Sequence, residues 1–418
     1  MSHKTVVLDD DPTGTQSATG VGVLLRWDAP HPPLADLLTD ALREADGVYV
    51  QTNSRALEES AAVALVTGIR DAAREAGRRL GADVRCVLRG DSTLRGHVVA
   101  ETDVFTGPDD VVLFVPAFPA GGRTTVEGVH LVRTAEGDVP AGRTEYAADP
   151  VFGFSSSRLS DYVREKSDRT PVPLADAAAL ARALDEAPAG AVLLPDVRDD
   201  ADVRALADVV RAWTPPPGRD VVVRCAAPLA AALAGVSSRG FLPRPLLPGT
   251  PRVLVACGSH TDGARAQLEA LADRHGPAHV LSTADALADP VAAGQDLARR
   301  ARADLSGGLA VVATERVRSG EHGTLDHGER VMTALVTAVR LLVPDADAVV
   351  SKGGITAAEV ARTGIGADTA HVEGQVAAGI SVWRMRAPDG RRDVLQVVVP
   401  GNVGGPDAVA DAVAALGR

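Results

Sequence analysis

Three consecutive carboxylates, Asp9, Asp10 and Asp11, run directly into Pro12-Thr13-Gly14-Thr15-Gln16. Adjacent acids repel one another, so a chain keeps them together where a cation, a hydrogen-bond network or a substrate hydroxyl compensates. A second stretch, Arg89-Gly90-Asp91-Ser92-Thr93-Leu94-Arg95-Gly96-His97, sets two guanidiniums on either side of an acid and two hydroxyls. Asp91, Ser92 and Thr93 could cap the helix that follows. Capping leaves Arg89 and Arg95 unexplained, and two cations where a helix dipole is already positive suit a bound carboxylate or phosphate. Arg123 adds a third cation in the shaped loop Pro116-Ala117-Phe118-Pro119-Ala120-Gly121-Gly122-Arg123-Thr124-Thr125.

The second half carries a different chemistry. Cys257-Gly258-Ser259-His260-Thr261-Asp262-Gly263, Ser351-Lys352-Gly353-Gly354-Ile355-Thr356 and Pro400-Gly401-Asn402-Val403-Gly404-Gly405 each follow an apolar run and precede a helical pattern. Strand, glycine turn and helix start, in that order, present backbone amides to phosphate. Lys352 comes before its glycines, so this is not a Walker A loop, in which the lysine follows a longer glycine span. One such turn is an ordinary connection, whereas three in one half shift the reading toward a phosphate site.

Elements that would position these groups are legible as alternating short apolar runs and longer amphipathic ones, the mark of a mainly parallel sheet covered by helices. Strands are expected at residues 5–8, 47–51, 84–88 and 111–115, with helices at 34–45 and 57–80, the latter broken near Gly77. A hairpin could start at 126–132. Further strands are expected at 191–194, 221–224, 253–256, 309–313, 348–350 and 394–399, and a long helix at 325–342. Four prolines within 241–251 read as a stiff linker. The fold class is therefore α/β with two domains, each a mainly parallel sheet flanked by helices: 1–240, then the linker 241–251, then 252–418. Their interdomain cleft is the expected place for the active site.

The chain has 418 residues, too many for one ordinary core, with 45% hydrophobic and 23% charged residues. A formal net charge of -12 argues against nucleic acid or an anionic membrane surface as the main partner, while leaving a local arginine cluster free to bind a small anion. Cys86, Cys225 and Cys257 fit neither a disulfide framework nor zinc spacing, and read as buried thiols in a reducing cytosol. With no signal peptide or transmembrane run, a cytoplasmic protein is expected.

Taken together, the motifs resemble the four-carbon acid sugar kinase family, which includes threonate and 3-oxo-tetronate kinases. The resemblance is carried over essentially the full length by Asp10-Asp11-Pro12-Thr13-Gly14, Asp91-Ser92-Thr93-Leu94-Arg95-Gly96, Pro116-Ala117-Phe118-Pro119 with Gly122-Arg123-Thr124, Lys352-Gly353-Gly354-Ile355-Thr356 and Gly401-Asn402-Val403-Gly404. It departs at Arg89, where many members have Lys, and at Asp9 and Pro12, which flank the acid pair in place of Ala and an aromatic or aliphatic residue.

The resemblance implies an N-terminal domain for a sugar acid and a C-terminal domain for ATP. In the N-terminal domain Asp10, Thr13, Arg89, Ser92, Thr93, Arg95 and Arg123 would bind substrate, with Arg95 or Arg89 on its carboxylate and Asp10 or Asp11 on hydroxyls. Gly258, Ser259, Lys352, Gly353, Gly354, Ile355, Thr356, Gly401, Asn402 and Gly404 would bind nucleotide. Phosphoryl transfer needs a phosphate cradle, Mg²⁺ and an acid that orients the attacking hydroxyl. Asp11 is the first choice for that acid and Asp91 the second, and no residue is assigned to the metal. The expected partners are a sugar acid and ATP, and a homodimer is compatible with them. Rival readings are a sugar-acid or nucleotide sensor without turnover and an NAD-dependent dehydrogenase, the latter disfavoured because no Gly-x-Gly-x-x-Gly follows the first strand.

Overall fold

Strands covered on both faces have little room for polar side chains, so parallel strands appear in sequence as short runs of Val, Leu and Ile. The computed structural model describes residues 3–27, 32–134, 136–315, 325–387, 390, 392–401 and 403–418. By contacts the chain divides into two units, Met1–Val21 with Trp27–Ser238, and Gly22–Arg26 with Arg239–Arg418.

In the first unit seven parallel strands lie in the order Gly47–Gln51, His3–Asp9, Asp83–Arg89, Val221–Cys225, Val111–Val115, Val192–Pro195 and Pro171–Leu174. His3–Asp9 has Gly47–Gln51 on one side and Asp83–Arg89 on the other. Winding therefore reverses there, and such a switch point opens a crevice beyond the carboxyl ends of the strands. The acid triplet leaves one of these strands and the Arg89 loop leaves the other. A separate antiparallel sheet, Arg123–Val126, Val129–Thr134 and Gly137–Pro140, carries Arg123.

In the second unit His279–Leu281, Leu309–Thr314, Val253–Cys257, Ala348–Lys352 and Asp393–Val399 are parallel, and the hairpin Thr369–Ala377 with Ile380–Arg386 adds antiparallel strands. Val253–Cys257 lies between Leu309–Thr314 and Ala348–Lys352, which makes a second switch point at the first two glycine turns. Residues 22–26 count with this unit, where the Leu25 and Arg26 amides donate to the Asp368 carbonyl.

Three local expectations change. The helix Glu59–Leu80 runs through Gly77 without a break, because Gly77 is a packing site: a Cβ there would stand 3.0 Å from both the Ala82 carbonyl oxygen and Val84 Cγ2. The helix Val98–Phe105 starts after His97 with no side-chain cap, so Asp91, Ser92 and Thr93 do not cap it. Residues 241–251 are not a bare spacer, since the Leu242 amide bonds to the Gln375 carbonyl and that of Leu246 to Ala415, while Leu242, Leu246 and Leu247 pack on the core. Among the described residues no helix is long and apolar enough to cross a membrane. Burial pushes the Cys86 and Cys225 thiols up to about 12, so neither is a nucleophile near neutral pH, and Cys257 is buried as well.

Candidate active site

Strand register brings the first-unit groups together. Asp9 faces Arg89 across the parallel pair, and Arg89 is 1% exposed. Its Nη1 donates to Asp9 Oδ1 (3.0 Å), Asp10 Oδ1 (3.1 Å), Asp11 Oδ1 (3.1 Å) and the Asp11 carbonyl (3.0 Å), while Nη2 donates to Thr13 Oγ1 (2.7 Å). Arg89 is thus the counterion that lets three acids share one turn. Gly14 completes the fit, since any Cβ there would overlap the Asp9 carboxylate. Even with Arg89 alongside, burial pushes the Asp9 carboxyl up to about 7, with the charge on Asp10 adding to the rise.

Asp11 is spent on structure as well. Oδ1 accepts from the Thr13 amide (2.7 Å), from Thr13 Oγ1 and from Arg89, and Oδ2 pairs with Arg55 Nη2. Its side chain caps the 3-10 turn Pro12–Ser17. Asp10 keeps one oxygen on Arg89 and turns the other toward Arg224 Nη2 at 3.7 Å. Arg224 is itself buried and paired with Glu101. Gly90 makes room for it, because a Cβ there would lie 2.7 Å from Arg224 Nε.

Asp91 gathers the cations. Its Oδ2 accepts from Thr93 Oγ1 and from Arg95 Nε (2.7 Å), with Arg55 Nη1 at 3.5 Å. Burial alone would raise this carboxyl, but Arg95 and Arg55, together with the Thr93 and Arg95 hydrogen bonds, hold it far below the usual carboxylate range. Arg95 lies 5.0 Å over the Tyr146 ring and 3.8 Å from Asp149. Arg123 donates to the Gly121 carbonyl and to Tyr146, and its burial lowers its pKa.

The loop between these cations is held from below by His130, which is fully buried. Burial pushes its pKa down to about 4, so the ring is neutral at pH 7. A carbonyl can only accept, so Nε2 donates to the Ser92 carbonyl (2.8 Å), leaving Nδ1 to accept from Thr125 Oγ1 (3.1 Å). Leu94, buried and with φ of 70°, takes a conformation uncommon outside glycine, and Tyr162 donates to its carbonyl at 2.8 Å.

In the second unit Gly258, Ser259, Gly353, Thr356 and Gly401 converge. A Cβ on Gly353 would lie 3.0 Å from Thr356 Oγ1 and 3.3 Å from Ser259 Cβ, and one on Gly401 would lie 3.4 Å from Ser259 Oγ. Thr261 caps the helix Asp262–His275 and donates to the Gly401 carbonyl at 3.1 Å. Gly263 and Gly405 have open space where a side chain would stand. These residues fit a nucleotide phosphate approached by backbone. Gly354 opens the following helix, and Ile355 is exposed beside it. Lys352 is neither a solvated strand end nor at the surface: it is fully buried, and Nζ donates to the Pro400 carbonyl at 2.6 Å. Gln267 ties down the same loop through the Val403 and Gly404 carbonyls. Asn402 lies outside the described residues.

Of the expected substrate residues, the structure brings Asp10, Asp11, Thr13 and Arg89 into one cluster and Asp91, Thr93, Arg95 and Arg123 into another, with Arg55 joining the two. Arg55, Glu101, Tyr146 and Arg224 are absent from the sequence reading. An arginine inside Val221–Cys225, an otherwise apolar strand, is the one sequence signal that could have exposed Arg224. Among the described residues no group of three His, Cys, Asp or Glu could hold a metal. Magnesium in phosphoryl-transfer sites relies largely on nucleotide phosphates and water, so the residues present fit an ion that enters with the nucleotide.

Comparison with known proteins gives the two units their descriptions. Residues 5–233 match the model of a sugar-binding N-terminal domain, and residues 254–409 that of a nucleotide-binding C-terminal domain. A D-threonate kinase from Bordetella bronchiseptica is 34% identical over 243 residues, 56% of this chain and 53% of that protein. A D-erythronate kinase from Heliobacterium modesticaldum is 30% identical over 307 residues, 68% of this chain and 64% of that protein. The chain thus spans somewhat more than half the length of these relatives. Solved structures from Salmonella typhimurium LT2 (TM-score 0.69, 16% identity, 99% of each chain) and Haemophilus influenzae (TM-score 0.61, 17% identity, 99% of this chain and 100% of that one) share the fold.

Proposed function

The chain belongs to the four-carbon acid sugar kinase family, and on that premise we propose that it phosphorylates a terminal hydroxyl of a four-carbon sugar acid, such as threonate, erythronate or 3-oxo-tetronate, with ATP as donor. The observation that carries this reading is the arginine cluster about Asp91, at the switch point of the unit that matches a sugar-binding domain. A small carboxylate with several hydroxyls suits it, since guanidiniums take the acid end and ionised carboxylates take hydroxyls.

When bound, ATP with Mg²⁺ supplies the phosphoryl group and neutralises its charge. The chain's own work is positioning, which dominates phosphoryl transfer. Arg95 and Arg123 hold the sugar acid by its anionic end. Asp91, kept ionised by its cations, orients the attacking hydroxyl and serves poorly as a proton store. That geometry favours it over Asp11, whose two oxygens are both engaged. Asp10, Asp11 and Thr13 hold Arg89 and Arg55 in register. Ser259, Gly353 to Thr356, Gly401 and Gly404 line the phosphate site, and Lys352 pins the Pro400 carbonyl beside it. The protein works in the cytoplasm, with small molecules as its partners.

ADP release with ATP, Mg²⁺ and a panel of D- and L-threonate, D- and L-erythronate and 3-oxo-tetronate tests the reading. Stimulation by at least one acid is expected. No stimulation by any would refute it, and tight binding without ADP release would mark a sensor instead.

A further inference from the structure

Arg55 occupies a place that its internal contacts do not use up. It follows Asn53, whose φ of 49° lies in the left-handed region, and sits in the 3-10 turn Ser54–Ala56 just beyond the strand Gly47–Gln51. That strand adjoins His3–Asp9, and the Thr52 amide and hydroxyl both bond to the Asp9 carbonyl, at 2.9 and 3.0 Å. The turn therefore opens on the same carboxyl-end crevice as the acid triplet. Nη2 of Arg55 is clamped on Asp11 Oδ2. Nη1 stands 3.5 Å from Asp91 Oδ2, an oxygen that Arg95 Nε already engages at 2.7 Å, and makes no hydrogen bond while buried from solvent. A buried donor without an acceptor is costly, and more so for a charged group. Here a second guanidinium is held beside one carboxylate oxygen already taken, with a donor to spare.

We infer that Arg55 is a substrate-binding residue, its Nη1 joining Arg95 to clamp the carboxylate of the sugar acid, so that the pair sets the preference for an acid over the corresponding neutral polyol. This rests on the sugar-acid kinase reading. Asp11 pre-orients the guanidinium, so little side-chain freedom is lost when the anion arrives. Asp91 keeps the two cations close without neutralising both, and a planar guanidinium suits a planar carboxylate better than lysine does. No proton or bond is exchanged in this step.

The test is calorimetric titration of the full chain with a tetronate, with the matching tetritol and with ATP, for wild type, Arg55→Met and Arg55→Lys. Loss of one charge-assisted hydrogen bond weakens tetronate binding roughly ten- to a hundredfold. That loss should appear in Arg55→Met while tetritol and ATP binding stay within about twofold, and Arg55→Lys should recover part of it. A structural role alone would weaken all three ligands together, which would overturn the inference, as would unchanged tetronate binding. If Arg55→Met unfolds, Arg55→Lys decides: it must weaken tetronate more than ATP. Wild type that binds no tetronate would remove the kinase reading along with it, whereas tetronate-binding wild type with indifferent variants would remove Arg55 alone.

Discussion

Replacing Asp9 by Asn should flatten part of the pH dependence of stability. Asp9 has no exposed surface, its Oδ2 makes no hydrogen bond, and burial lifts its carboxyl from 3.8 to about 7. The folded state therefore binds a proton that the unfolded state has released across roughly pH 4 to 7, so unfolding free energy falls as pH rises through that window. The stabilising proton is fully in place below pH 4 and gone above about pH 7. A rise of about three pH units is worth about 4 kcal/mol at 1.36 kcal/mol each. Asn cannot ionise and is close in shape to the protonated acid. Wild type and variant should thus be of similar stability near pH 4, with the variant ahead by about 1–2 kcal/mol at pH 5 and by about 4 kcal/mol at pH 8. Two units make a single unfolding curve ambiguous, so the assay is native-state hydrogen exchange of the peptide spanning His3–Asp9, in increasing urea, at pH 5, 6, 7 and 8. Parallel pH dependence in the two proteins would refute the claim that this proton is held by the fold.

Arg89→Met removes the counterion of three buried carboxylates, an effect on the order of 3–5 kcal/mol. The thermal midpoint should fall sharply at pH 8 and recover in part at pH 5 as Asp9 takes its proton, and a variant that merely raised the KM for sugar acid would contradict this. Lys352→Met strips the donor from the Pro400 carbonyl and loosens the loop above it. Steady-state kinetics should show the KM for ATP raised about tenfold with that for the sugar acid nearly unchanged, and equal rises would count against the anchoring role.

Much of the fold could be read from the chain because buried parallel strands are apolar runs between turn formers. Gly47–Gln51 and Val111–Val115 fall where the pattern places them, and the long helix Leu325–Leu342 does too. The hairpin Thr369–Ala377 with Ile380–Arg386 is hard to read, since irregular register breaks its alternation at residues 372–377. Side-chain partnership was less legible than backbone. That Arg89 serves Asp9, Asp10 and Asp11 follows from two strands lying in register with these residues 80 positions apart, a fact of topology that no local window contains. Arg55 was invisible for the same reason, as its turn matters only because Gly47–Gln51 adjoins His3–Asp9. Lys352 looked like a phosphate ligand by sequence, but in the structure the next loop folds over it.

Arg224 passes against Gly90 on its way from a central strand to Asp10 and Glu101, which makes the two positions a single unit of mutational tolerance. Gly90 cannot accept a side chain while the arginine is present, whereas Gly96 is held by its own φ of 116°, and loss of the arginine would strip buried Glu101 of its partner. Across the sequences of this family, substitution at Gly90 should accordingly be confined to lineages that have also changed Arg224, a correlated history set by one side chain's path.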